Sequence, residues 1–403
     1  MVSTLGRRAS FQVAAAVTGV ALWTSGAPSV TYPLYGEQWH LTPAVTTAIF
    51  AVYPAVLVAV LVVAGDLSDH IGRRKAILLG LGANLVGTLL FAVAPDVGWV
   101  FVGRAFMGVG VGLSMSPSTA AMVEFSPAGQ AKRASSTTTA STAAGLVLAT
   151  LVGGALIEYA PFPTHLNFWV LTVVITAVLG AAWLLPRESP TGAAGPWRPR
   201  IPFIPKGLGV LFATAALAVT AAYASGALML SLGANIAQGL IGSDNALVNG
   251  SVIALSAAVI GLVALWAKGF SSRAVIVAGG VATAVGMALL VLSSAEHSLA
   301  LLVLASIGSG AGYSLLFLGG LTLISTHAPA HHRGGALSAV YLVGYLMQGV
   351  VAIGLGLLAT SSGLRFAIDV GGPAVTLLGL AALVLVVATG RTPAPVREPA
   401  VAR

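Results

Sequence analysis

The residues of this 403-residue chain that could do chemistry are few, and they are charges and phenols rather than nucleophiles. The stretch Gly65-Asp66-Leu67-Ser68-Asp69-His70-Ile71-Gly72-Arg73-Arg74-Lys75 sets two acids, a histidine and three cations between two apolar runs. At a membrane boundary a carboxylate such as Asp69 is favourable only when paired or placed at a helix N-terminus. Arg73 and Arg74 can supply the pairing, and Gly72 permits a tight reversal where a Cβ is costly. Arg104 stands alone inside another apolar run, at an insertion cost of about 2.5–3.5 kcal/mol. It is either compensated for a functional reason or snorkels to the outer interface. Tyr341, Tyr345 and Gln348 follow an i, i+4, i+7 stripe and share one helical face. Such a stripe serves packing, or lends polar tips that need partners, water or a ligand.

Covalent chemistry is poorly served. Zero cysteines exclude thiol catalysis and Cys-ligated metal. No Gly-x-x-x-x-Gly-Lys-Ser/Thr run is present to cradle a nucleotide phosphate, so ATP hydrolysis within this chain is not expected. His327, His331 and His332 have no neighbouring acids or cysteines to complete a metal site and read as loop histidines. No enzyme activity, metal or cofactor is therefore expected.

The elements that must position these groups are membrane helices. Hydrophobic residues make up 57% of the chain and charged residues 7%, far from the roughly 25% charged residues of a soluble domain. With a mean hydropathy of +0.96, the solvent around most of the chain is lipid. The net charge of +8 does not form one basic face, so nucleic-acid binding is not expected. Apolar stretches long enough to cross the bilayer fall at 11–35, 43–64, 75–94, 97–123, 136–158, 166–186, 207–236, 246–267, 274–294, 298–325, 335–360 and 367–390. Arg7-Arg8 before the first run imitates a signal peptide, but the run continues past Trp23 and Pro28 without a small-residue cleavage site. It reads as the first helix, bent at Pro28 and Pro33.

With the N-terminus inside, 17 of the 19 Lys and Arg fall on the cytoplasmic side, leaving Arg365 outside and Arg104 within a helix. That asymmetry places both termini in the cytoplasm of an integral plasma membrane protein. The Pro- and Gly-rich stretch from Arg187 to Lys206 then divides the chain six plus six. The expected domains are residues 1–186, a linker at 187–206, residues 207–391 and a tail at 392–403. The halves align at an offset of 200, which sets Gly108, Gly110 and Gly112 against Gly308, Gly310 and Gly312, and Gly154 against Gly354. In this register Arg104 is answered by Leu304.

The loop from Gly65 to Arg74 resembles the signature of the major facilitator superfamily, Gly-x-x-x-Asp-Arg/Lys-x-Gly-Arg-Arg/Lys, departing from it at His70. The resemblance implies an all-α membrane fold of twelve transmembrane helices in two pseudo-symmetric six-helix bundles. It also implies a conformational latch of Gly65, Asp69, Gly72, Arg73, Arg74 and Glu124. In it Asp69 meets the N-terminal end of helix eleven and Arg73 meets Glu124 at the inner end of helix four, favouring an outward-open state or acting as a plain clamp. Arg104-Ala105-Phe106-Met107-Gly108-Val109-Gly110 is similar to the family's helix-four pattern Arg-x-x-Gln-Gly-x-Gly, whose arginine is linked to proton transfer. Proton coupling is accordingly assigned to Arg104, Asp66 and Asp69. Gly145 to Gly154 is similar to the exporter pattern Gly-x-x-x-Gly-Pro-x-x-Gly-Gly with Ala149 and Thr150 in place of its central pair, a spacing that also serves helix packing.

Family architecture would gather Trp23, Thr24, Tyr32, Tyr53, Ser114, Met115, Asn235, Tyr313, Tyr341, Tyr345 and Gln348 along a central substrate cavity. No acid falls near the middle of any span, which disfavours a dicationic substrate and favours a neutral or weakly amphipathic, lipophilic one. The resulting expectation is a monomeric secondary transporter that exports a small lipophilic compound in exchange for protons by alternating access. Uptake of a nutrient by symport or uniport is the alternative.

Overall fold

A computed structural model describes residues 5–65, 67–127, 131–186, 208–328 and 333–389. The expected linker and tail, Asp66, His331 and His332 lie outside the described residues. Among those described there is no strand, and twelve helices are long and apolar enough to cross a membrane. They are α1 (Arg7–Gly26), α2 (Pro43–Ala64), α3 (Arg73–Ala92), α4 (Val97–Phe125), α5 (Ala131–Tyr159), α6 (Leu166–Trp183), α7 (Gly209–Gly239), α8 (Ala246–Trp266), α9 (Ser272–Ala295), α10 (Leu299–His327), α11 (Arg333–Ser362) and α12 (Leu364–Ala388). The chain is an integral membrane protein of two pseudo-symmetric six-helix bundles.

Helix starts follow local chemistry. Thr42, Asp96, Asn245, Ser271 and Ser298 each accept a backbone N–H of the helix that follows, which answers the orphan donors of a first turn. At Pro28, which has no N–H to donate, α1 gives way to a 3-10 turn over Ala27–Val30 and then to a short helix, Tyr32–Gln38. Gly72 stands before α3 at φ +89°, a conformation that a side chain would strain.

The two ends of the bundle differ in charge. One face carries Arg7, Arg73, Arg74, Lys268 and Arg273, and the other carries Glu37, Asp96, Glu158, Asp244, Glu296 and Asp369. Between the halves, α5 packs on α8 and α2 on α11. Small residues make both seams close. A Cβ on Gly154 would fall 2.7 Å from the Ala246 carbonyl oxygen, and one on Gly250 would fall 2.3 Å from that of Thr150. A Cβ on Gly356 would fall 2.9 Å from the Pro43 carbonyl oxygen.

These contacts correct the internal register. Helix α10 starts and ends 202 residues after α4, as their bounds show. Gly108 faces α2 and Gly310 faces the equivalent α8, while Gly110 and Gly312 face α3 and α9. Gly154 and Gly356 likewise occupy the two seams, whereas Gly354 meets open space. The counterpart of Arg104 is thus Ser306, fully buried with its hydroxyl on the Leu302 carbonyl at 2.9 Å, and not Leu304, which is 49% exposed.

Candidate functional site

Arg104 is 0% exposed, so it does not snorkel. Its Nη1 donates to the Ser25 carbonyl at 3.0 Å, and its guanidinium lies 4.9 Å from the Tyr53 ring centroid and 5.8 Å from that of Phe50. Ser25 sits in the last turn of α1, where carbonyls run short of donors because the chain tightens at Pro28. The cation therefore occupies the negative end of a helix dipole. Its Nε and Nη2 have no hydrogen-bond partner, and no carboxylate pairs with it among the described residues. Tyr32 is fully buried within electrostatic reach of Arg104, and its hydroxyl also lacks a partner.

One aromatic cluster lies beyond Tyr53. Tyr223 of α7 stands 4.6 Å from Tyr345, 5.7 Å from Phe317 and 6.0 Å from Tyr313, centroid to centroid, and Tyr341 stands 6.1 Å from Phe317 and 6.4 Å from Tyr345. Glycines make the room: a Cβ on Gly226 would come within 2.9 Å of the Tyr313 ring, and one on Gly344 within 2.8 Å of Tyr223. Tyr345 packs against the cores of both halves and lies within electrostatic reach of Tyr53. Tyr53, Tyr223, Tyr313 and Tyr345 are each at least ten residues from either end of their helices, which puts the cluster about 15 Å or more inside the bundle.

The other expected cavity residues divide. Gln348 and Asn235 each keep a side-chain oxygen that is buried and unpartnered, and Trp23 Nε1 is likewise without a partner. Thr24 donates its hydroxyl to the Val20 carbonyl at 2.9 Å. Ser114 donates to Gly110 at 2.7 Å and packs against Gly80 of α3, away from the tyrosines. Met115 packs into the core of the first half. Sequence reasoning missed Tyr223, Phe317, Phe50 and Ser25. Phe317 was within reach as the i+4 neighbour of Tyr313.

On the basic face Arg73 pairs with Glu124. Arg7 donates to the Glu124, Phe125 and Ser126 carbonyls at the end of α4, and Arg74 donates to the Trp183 carbonyl at the end of α6. A carboxylate at a helix C-terminus opposes the dipole, and these cations compensate. Asp69, on the short helix Leu67–Ile71, has no hydrogen-bond or ion-pair partner among the described residues. A Cβ on Gly65 would fall 2.5 Å from the Leu61 carbonyl oxygen. His327 Nδ1 lies 2.9 Å from the Leu323 carbonyl oxygen of its own helix.

The half-to-half hydrogen bonds gather on the acidic face. Gln238 Nε2 donates to Glu37 at 2.7 Å, the Ala246 N–H to Glu158 at 2.7 Å, and the Ala44 N–H to Thr360 at 2.9 Å. Val30 and Ile157 meet Leu230, Ala234 and Ile253 beside them. On the basic face, among the described residues, Lys268 Nζ bonds Ser136 at 3.0 Å across the α5–α8 seam.

Solved transporters share this architecture. The nucleoside transporter NupG superposes with a TM-score of 0.77 at 11% identity, over 94% of this chain and 100% of that one. The peptide transporter POT gives 0.77 at 18%, over 97% of each chain. Among curated proteins, the multidrug efflux pump LfrA of Mycolicibacterium smegmatis is 33% identical over 41% of this chain and 33% of its own length. The puromycin resistance protein pur8 of Streptomyces alboniger is 29% identical over 39% and 29%. The D-xylose-proton symporter-like 1 of Arabidopsis thaliana is 28% identical over 38% and 30%. The matched segments thus span about a third of these curated relatives. The model of the Major Facilitator Superfamily matches residues 14–273, well over half of the chain, and the protein belongs to that family of transporters and not to an enzyme family.

Proposed function

We propose that the chain is a secondary active transporter that exports a small lipophilic compound in exchange for protons by alternating access. The observation that carries this reading is the aromatic cluster at mid-depth on the seam, closed off from the acidic face by the hydrogen bonds and apolar plug between the halves. The basic face is the cytoplasmic one, following the distribution of Lys and Arg, with both termini on that side of a plasma membrane and the chain working as a monomer. The state described here is then inward-facing. Asp69 without a partner fits it, since the latch to α11 belongs to the outward-open state. Arg73, Arg74 and Glu124, with Gly65 and Gly72, hold the latch loop. Tyr53, Tyr313, Tyr341, Tyr345 and Gln348 line the substrate path, joined by Tyr223 and Phe317. Arg104 and Asp69 are the groups assigned to coupling, with Asp66 outside the described residues. Arg104 acts through its positive charge.

The relatives named as a multidrug efflux pump and a puromycin resistance protein support export. The symporter-like relative favours uptake as a second reading. Inverted vesicles separate them. Export predicts accumulation inside the vesicles that collapses when the proton gradient is dissipated. Accumulation by intact cells overturns it in favour of uptake.

A further inference from the structure

The site around Arg104 is positive, and no carboxylate among the described residues pairs with it. A guanidinium carries five donors and does not discharge. Arg104 uses one nitrogen on Ser25, while Nε and Nη2 are buried without partners. Every described carboxylate lies at one face or the other of the bundle, so the interior holds one cation and no counter-charge among the described residues. The Tyr32 hydroxyl beside it is a second unpartnered polar group, buried to 0% exposure. Tyr53 joins this end to the other. Its ring covers the guanidinium at 4.9 Å, and it is within electrostatic reach of Tyr313 and Tyr345 in the aromatic cluster. Tyr53 therefore stands between the cation and the other tyrosines.

We propose that this site takes an aromatic monocarboxylate, its acid group on Arg104 Nε and Nη2 with Tyr32, its ring among Tyr53, Tyr223 and Tyr345. The carboxylate supplies two acceptors in the fork geometry that the free nitrogens present, and the flat body matches the offset-stacked and tilted rings. A neutral ligand leaves the buried positive charge without a counter-ion, and a cation meets a like charge. This rests on reading the mid-depth cluster as the substrate site, and it replaces the neutral class expected from the sequence by lipophilic compounds bearing one negative charge.

The test is a charge series of one shape, 2-naphthoate, 2-naphthamide and (2-naphthylmethyl)trimethylammonium, binding to the purified full chain in nanodiscs by equilibrium dialysis. Naphthoate is expected to bind at least about tenfold tighter than the amide, the discrimination that a charged hydrogen bond supplies, and the cation weakest. Arg104→Gln should erase the preference for naphthoate over the amide, and Arg104→Lys should keep part of it. Equal or tighter binding of the amide or the cation, no binding of naphthoate, or an undiminished preference in Arg104→Gln overturns the proposal. If Arg104→Gln does not fold, the wild-type series decides alone. Binding is read without a gradient, so a charge preference that holds while vesicles show uptake refutes export and leaves this site intact.

Discussion

Arg104 Nη1 donates to the Ser25 carbonyl at 3.0 Å, so a cation of α4 closes the end of α1 at the point where Pro28 breaks it. The pattern recurs: Arg7 on α4, Arg74 on α6, and Arg273 on the Val387 carbonyl at the end of α12 each serve the C-terminus of a neighbouring helix. Arg104 differs in being inside the bundle with two nitrogens idle.

Replacing Arg104 by Met therefore sets opposing terms against each other. The orphaned Ser25 carbonyl costs about 1–3 kcal/mol, and losing the ring contacts about 0.5–2. Removing two unsatisfied buried donors returns about 1–3 kcal/mol each. Thermal unfolding in detergent should show a net loss of no more than about 3 kcal/mol, the largest that these terms allow. A loss well beyond that would make helix closure the whole role of the residue.

The acidic-face seam predicts a lock. Ala44 and Thr360 are joined by a 2.9 Å hydrogen bond between the halves, and the chain has no native cysteine to interfere. Ala44→Cys with Thr360→Cys should form a disulfide under mild oxidation, stop transport, and recover on reduction. Undiminished transport by the oxidised pair, with cross-linking verified on a gel, would mean that this face never opens.

Much of the architecture could be read directly, because twelve apolar runs and one-sided cations are strong signals in a bilayer. The register of the repeat could not. Gly108-x-Gly110-x-Gly112 matches Gly308-x-Gly310-x-Gly312 at an offset of 200 and again, in two positions, at 202. A pattern of period two is nearly blind to a slip of two. Only the neighbours at each glycine separate the choices. The site was half legible for a similar reason. Tyr341 and Tyr345 announce a shared face by their spacing, whereas Tyr223 stands alone in an alanine-rich helix and joins them only through packing against Gly344. Ser25 contributes a backbone carbonyl, which no residue type reveals.

The charged loop predicts a split between two neighbouring acids. Asp69→Asn should sharply reduce transport while membrane insertion stays intact, since Asp69 has no partner to lose in the state described. Glu124→Gln removes the pairing of Arg73 from a partly exposed site, a loss of about 0.2–1 kcal/mol that salt should shrink. Transport assays beside surface labelling check the first, and unfolding at two salt concentrations checks the second. Wild-type transport by Asp69→Asn removes the latch from the mechanism.

The glycines of α11 offer the sharpest test of the aromatic cluster, because two of them share a helix and differ in surroundings. A Cβ on Gly344 would fall 2.8 Å from both the Tyr223 ring and the Val219 side chain, whereas Gly354 has nothing within 4 Å. Gly344→Val must therefore push Tyr223 out of its 4.6 Å contact with Tyr345, an overpacking strain of about 1–3 kcal/mol. Gly354→Val meets no such obstacle. If the cluster holds the substrate, Gly344→Val weakens binding of naphthoate to the purified chain by about tenfold, the equivalent of roughly 1.4 kcal/mol, and Gly354→Val leaves it unchanged. Equal affinities in the two variants, with both folded by thermal unfolding, would reduce the tyrosines to packing.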